Sequence, residues 1–279
     1  MLQNIIENLL ELGFNRLEAE VYIQLLSHPP ATAYKVGKLI NKPTANVYKA
    51  IDALAKKGAV IIEDNKAKLC KAIKPDEFFS LYKANLLQKA KKAEQSLQHL
   101  QTDFNDQSSY AIKSVPLVFE KAKNILLNAN SIVVVDVFPK ALEKISYILS
   151  EIGKNGIKVY IEAYDHIEIP FTEITISKTI GDTATNHWDA QQLNIMVDGE
   201  VHLIALMDND LKIIKQATFS QNIYMSCMLL AGNLKEQAII KLLNIQNDAD
   251  FEAKAKNILN QAKFFYNTEI PGFKKLKNL

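Results

Sequence analysis

Apolar residues in the opening stretch recur at Leu2, Ile5, Ile6, Leu9, Leu10 and Leu12, the spacing of one helix face, and Gly13 stops the run. Asn15 is placed to cap a second helix, with Glu18 at the position of a reciprocal capping contact. That helix presents Ala19, Tyr22, Ile23 and Leu26 on one face, and Pro29-Pro30 ends it. Thr32 caps a short third helix over 33–40, with Val36, Leu39 and Ile40 inward. After Asn41-Lys42-Pro43, a fourth helix starts at Pro43 or Thr44, buries Val47, Ile51 and Leu54, and runs to Lys57, with Gly58 as its stop. The period then changes from helical to extended. Segments 59–63 and 66–73 read as two strands around the turn pair Asp64-Asn65. Short helix, tight turn, longer helix and hairpin, in that order, predict a winged helix-turn-helix.

Pro75 opens a further helix on which apolar residues form two seven-residue ladders, Phe79, Leu86, Ala93, Leu100 and Ala90, Leu97, Phe104. From Ala90 the steps alternate three and four, the seam of a left-handed coiled coil, so these seven positions are the expected dimerisation surface. Segment 105–116 is polar and holds a proline, a reasonable boundary. Beyond it the pattern predicts helix 117–128, strand 131–137, helix 140–155 and strand 157–163. Strands near 174–177, 193–197, 201–207 and 211–215 follow, then helices over 221–244 and 249–266. A hairpin through Asp198-Gly199 within this alternation argues for an α/β body. The expected organisation is therefore mixed α+β and α/β in two domains. It comprises a winged helix over 1–74, a coiled-coil dimerisation helix over 75–106 and an α/β domain over 107–279.

The 279 residues are 48% hydrophobic and 23% charged, which excludes a disordered chain, and no apolar run is long enough to span a bilayer. The first twelve residues carry two acids and no base, unlike a secretory signal. Cys70 and Cys227 stand too far apart to form a disulfide framework or a cysteine metal site, so a reducing cytoplasm is expected. The net charge of +2 conceals an asymmetry: between Thr32 and Lys74, ten lysines face three acids, Asp52, Glu63 and Asp64. A basic head on a near-neutral body is the electrostatic outline of a nucleic-acid-binding protein.

The head also resembles the N-terminal domain of the TrmB family of transcriptional regulators. The resemblance rests on Leu12-Gly13, Glu18-Ala19 and Tyr22, on Val47-Tyr48, Leu54 and Lys57-Gly58, and on Pro75-Asp76-Glu77. It covers about residues 8–105 and implies sequence-specific binding of double-stranded DNA as a homodimer, with the long helix as the dimer arm. With the fourth helix in the major groove, the positions opposite Val47, Ile51 and Leu54 face the bases: Thr44, Ala45, Asn46, Tyr48 and Lys49. Asn46 suits adenine, Lys49 a guanine edge or a phosphate, and Ala45 a thymine methyl. Tyr48 is expected to wedge between helices instead. Lys35, Lys42 and Lys56 are expected to meet phosphates, and Lys66 and Lys68 of the wing to lie beside the minor groove. Arg16 is the chain's one arginine, so the usual bidentate guanine reader is missing from the helix and the wing, and an A/T-rich operator is expected.

The body resembles the phospholipase-D-like C-terminal domain of the same regulators, most clearly in the strand, Asp198-Gly199 and returning strand. Enzymes of that fold place a histidine seven residues, and a lysine five residues, before such an aspartate. Gln191 and Leu193 stand there, and glutamine cannot replace a histidine nucleophile, so no enzymatic activity is expected. The glycines form no phosphate-cradling loop, Asp208-Asn209-Asp210 reads as a hairpin turn, and no metal or cofactor is expected. A candidate pocket at strand ends comprises Asp136, Phe138, Glu162, Tyr164, His187 and Trp188, suited to a sugar or another small polar effector. Two rivals stand beside this reading: a phosphodiesterase using residues outside the motif, and a winged helix that binds an acidic protein partner.

Overall fold

The structure is a computed structural model that describes residues 2–63, 68–98, 100, 106–177, 188–262 and 269–278. It divides into two compact units, Met1–Asp103 and Phe104–Leu279.

The first unit contains α1 (Leu2–Glu11), α2 (Arg16–Ser27), α3 (Ala33–Leu39), α4 (Thr44–Lys57), β1 (Val60–Ile62), β2 (Cys70–Ala72) and α5 (Pro75–Gln98). The Asn15 carboxamide accepts from the Glu18 N–H and the Glu18 carboxylate accepts from the Asn15 N–H, so both halves of the capping box form. Thr32 caps α3 through the Lys35 N–H, and Gly58 ends α4 at φ +79°, a left-handed conformation that costs glycine little. Val47, Ala50, Ile51 and Leu54 pack inward with Ala19, Val21, Tyr22 and Leu25 of α2. The inward face of α2 therefore runs through Val21 and Leu25 rather than Leu26, which is exposed, and Leu39 of α3 is likewise exposed. Both expected positions are displaced because the helices turn their small residues, Ala19 and Ala33, to the close contacts. Phe78 is the one fully buried residue of α5, in a ring cluster with Phe14, Tyr22, Phe79 and Tyr82.

The second unit is built on a seven-stranded sheet of order β3-β9-β8-β7-β4-β5-β6. Its elements are β3 (Ser109–Ala111), α6 (Val115–Leu127), β4 (Ile132–Val137), α7 (Pro139–Lys154), β5 (Lys158–Ala163), β6 (Glu173–Ile176), β7 (Gln191–Val197), β8 (Val201–Met207) and β9 (Ile214–Ser220). After these come α8 (Ile223–Ile245), α9 (Phe251–Ala262) and α10 (Pro271–Leu276). β4, β5 and β6 are parallel, and the remaining pairs are antiparallel. On one face Val133, Val135, Ile161, Leu193, Ile195 and Leu203 pack against α6 and α7. On the other, Ile132, Val134 and Met196 meet Leu230 and Leu234 of α8 and Ile270. Every residue of β4 is buried, as a central strand covered on both faces requires.

The β7–β8 hairpin turns at Asp198 and Gly199, both with positive φ. Three expectations need correction. Part of the polar boundary segment forms β3, which pairs with β9 because Ser109–Ala111 completes that strand's open edge. The strand expected at 211–215 instead spans Ile214–Ser220. Asp208 accepts the Lys212 and Ile213 N–H groups and Leu211 takes a positive φ, so the turn consumes the first three positions, Leu211 to Ile213. The short helix α10 carried no pattern long enough to read.

Candidate functional site

On the head, α4 places Ala45, Asn46, Lys49 and Lys56 in solvent on the side away from its buried stripe, with Thr44 half-buried at its first turn. No side chain caps that turn, so its leading N–H groups are open to an acceptor. Lys35, Lys42 and Lys68 are also exposed. Lys42 is partly engaged, since its ammonium lies 3.7 Å from the Glu20 carboxylate. Lys66 lies outside the described residues. Tyr48 corrects its expectation: it is exposed, and it lines a groove with Ile51, Asp52, Ile62, Glu63, Lys68 and Cys70 between α4 and the hairpin. A ring this large has no room between helices that already meet through Val47 and Ala50. The Lys57 ammonium is withdrawn from the outer surface. It sits 2.5 Å from Glu18 Oε2, donates to the Gly13 carbonyl and stands over the Phe14 ring.

Along α5 every described side chain from Lys83 to Gln98 is exposed, including Leu86, Ala90, Ala93 and Leu97, and Leu100 beyond the helix is exposed too. Phe79 differs, being half-buried against Phe78 and Tyr82 in the head's own core. Phe104 lies outside the described residues.

In the body, Gln191 and Leu193, which stand where the expected histidine and lysine would be, make structural contacts. The Gln191 carboxamide oxygen accepts the Lys140 N–H at the start of α7, and Leu193 is sealed in the core. Asp198 accepts backbone N–H groups from Asn130, Ser131 and Ile132 at 2.7–2.9 Å, tying the hairpin to the entry of β4.

Four of the six candidate pocket residues come together on the sheet face under α8. Strand register sets Asn194, Asp136, Glu162 and Thr175 side by side across β7, β4, β5 and β6. The Asp136 carboxylate accepts from Gln192 Nε2 at 2.5 Å, Asn194 Nδ2 at 3.0 Å and the Tyr164 hydroxyl at 3.1 Å. The same hydroxyl stands 3.1 Å from Glu162 Oε1, and the Phe138 ring packs edge-on against Tyr164 at 4.7 Å. Burial pushes the Glu162 carboxyl up to about 8, and the Asp136 and Glu236 charges add to it. Burial raises the Asp136 carboxyl too, opposed by the hydrogen bonds from Asn194, Tyr164 and Gln192. Tyr164 has one proton for two carboxyl groups. The consistent arrangement is a Glu162 that keeps its proton and donates to Tyr164, which in turn donates to Asp136.

Trp188 does not join this group. It is exposed, and neighbouring Asp189 is bonded to Asn209 and Lys215 at the β8–β9 turn. His187 lies outside the described residues. Gln192, Asn194 and Thr175 were missed by the sequence reading, although their alternation with Leu193, Ile195 and Ile174 marks a polar strand face.

Residues 9–76 match the family model described as "Sugar-specific transcriptional regulator TrmB". A curated relative, the uncharacterized protein YrhO of Bacillus subtilis (strain 168), is 22% identical over 175 residues. That match spans 62% of this chain and 64% of the relative's length. Among solved structures, the archaeal chromatin protein TrmBL2, whose structure shows a novel mode of DNA binding, gives a TM-score of 0.42 at 16% identity, over 82% of this chain and 95% of its own. NucT from Helicobacter pylori gives 0.36 at 10% identity, over 46% and 94%. Both are loose likenesses. Among the described residues no helix is long and apolar enough to cross a membrane.

Proposed function

With a TrmB-family head as the premise, we propose that this protein is a homodimeric, sequence-specific DNA-binding transcriptional regulator of the cytoplasm, controlled by a small polar ligand in its body. The observation that carries the reading is the outer face of α4, where Ala45, Asn46 and Lys49 stand in solvent beside an uncapped helix start and the hairpin. Asn46 and Ala45 read bases, Lys49 reads a base edge or a phosphate, and Lys35, Lys56, Lys66 and Lys68 supply phosphate contacts. Lys42 contributes after parting from Glu20. The exposed leucines of α5 support the dimer: a helix solvated on all sides for about four turns is marginal by itself, and a second copy would cover its apolar seam.

The body is read as a phospholipase-D-like domain without that fold's hydrolysis. Gln191 and Leu193 are committed to the α7 start and the core, which supports a non-enzymatic role.

The test is a gel shift of the full chain on its own promoter fragment, with excess random competitor and a salt titration. A complex that survives competition is expected. Lys49→Ala should flatten the salt slope by about 0.9 if Lys49 holds one phosphate, whereas Asn46→Ala should weaken the specific complex more than the random one. A complex lost equally to random DNA would overturn operator reading.

A further inference from the structure

The proton-sharing row under α8 faces polar atoms with no partner among the described residues. Glu162 Oε2, Thr175 Oγ1 and both amide atoms of Gln237 are buried without a hydrogen bond, and Glu162, Thr175 and Gln237 are each 2% exposed. Gln237 follows Leu234, which packs over Val134 and Met196, and precedes Lys241, which is paired with Glu173 on β6. That places Gln237 over β5, on the face that carries Glu162. On the same stripe of α8, Asn233 Oδ1 and Asn244 Oδ1 are also buried and unpaired. The amide nitrogens of these two donate to the Leu229 and Ile176 carbonyls, which fixes both oxygens as the free ends.

Of the four orphaned atoms on Glu162, Thr175 and Gln237, three are oxygens, and leaving such groups unpaired costs about 1–3 kcal/mol each. What answers them is a ligand made of donors. The charge agrees: Asp136 on β4 and Glu236 on α8 set a negative field at Glu162, while Lys241 is held by Glu173. An anion is repelled here. A divalent metal wants more carboxylates than this, and no metal-binding group of three acidic, histidine or cysteine side chains occurs among the described residues. A neutral sugar brings as many acceptors as donors. A primary ammonium brings three donors, no acceptor and one positive charge.

We infer that the unpartnered polar atoms of Glu162, Thr175 and Gln237 take the ammonium head of a small organic amine, with Asp136 and Tyr164 beside Glu162. This deepens the ligand-controlled reading of the body and rests on it. The amine replaces the proton that Glu162 shares with Tyr164, so Glu162 ends as a carboxylate paired with the ligand and the released proton goes to solvent.

The test uses the full chain and measures its melting temperature with n-propylammonium chloride. Tetramethylammonium chloride, potassium chloride and glucose serve as parallel arms, on wild type, Glu162→Gln and Thr175→Val. Propylammonium at about ten times its Kd should raise Tm by about 3–5 °C in wild type and not in Glu162→Gln. Because Gln mimics the protonated acid, that variant keeps the fold, and Thr175→Val gives an independent loss of an acceptor. An equal rise with tetramethylammonium or potassium, or a propylammonium rise that survives both substitutions, would overturn the ammonium site. A rise with glucose alone that Glu162→Gln abolishes would overturn the amine and leave a ligand-controlled body standing. No rise in any arm would overturn this site, and metabolite release of the promoter complex would then test ligand control separately.

Discussion

Asp198 sits at the β7–β8 turn, and its contacts set what its removal should cost. Oδ1 accepts the Ser131 and Ile132 N–H groups, and Oδ2 accepts the Asn130 N–H. Asp198→Ala strips all three partners at once. Each stranded N–H is worth about 1–3 kcal/mol, with the lower end for Asn130 and Ser131, which water can partly reach. Alanine must also hold the positive φ of 56°, adding about 1 kcal/mol. The expected loss is about 4–6 kcal/mol, a large share of a typical domain's stability. Asp198→Asn keeps one oxygen for Ser131 and Ile132, turns its amide toward the Asn130 N–H and tolerates the left-handed backbone, so it should cost only about 1–2 kcal/mol. Urea unfolding followed by the fluorescence of Trp188, the sole tryptophan, reports on the body. An alanine variant within about 1 kcal/mol of wild type would refute the structural role assigned to Asp198. So would an asparagine variant as unstable as the alanine one.

Glu162 keeps its proton up to about pH 8 in the fold against 4.5 for the ordinary carboxyl. Between those values the folded chain binds more protons than the unfolded one, so this group's share of stability falls as pH rises, at up to about 1.4 kcal/mol per pH unit. Glu162→Gln should remove that share, and denaturation midpoints for the two proteins should converge or cross between about pH 5 and pH 8; parallel curves would contradict it. Gly272 comes so close to the hairpin that an added Cβ would lie 2.2 Å from the Gly199 carbonyl oxygen. Gly272→Ala should therefore dislodge α10 at a cost of about 1–3 kcal/mol, seen as earlier proteolysis of the C-terminal segment; unchanged protection would count against the contact. Leu86→Asp should convert the proposed dimer to monomer in sedimentation while leaving the monomer's circular dichroism intact, because Leu86 is already exposed within one chain. A variant that stays dimeric would move the interface elsewhere.

The head was legible in the sequence because its signals are local. A capping residue, a helical apolar stripe, a left-handed glycine and a change of period each act within a few residues, and Asn15, Thr32, Val47 and Gly58 stand where those rules place them. Where the reading slipped, packing chose between near-equivalent faces, as with Leu26 against Leu25, or a turn consumed apolar residues, as at 211–213.

The buried row was only half visible. Asp136, Glu162 and Tyr164 were found at strand ends, but nothing in the linear order says that Asn194, Thr175 and Gln237 share their layer, or that Trp188 is exposed. Asn194 is 58 residues from Asp136 and Gln237 is 75 residues from Glu162 along the chain, and strand register together with the path of α8 assigns them. Sequence determined which residues are helical, extended or charged, since those properties come from the backbone and the side chain itself. Only the tertiary structure decided which carboxyl keeps its proton and which amide oxygens are stranded, because desolvation depends on what distant segments bring to the same place.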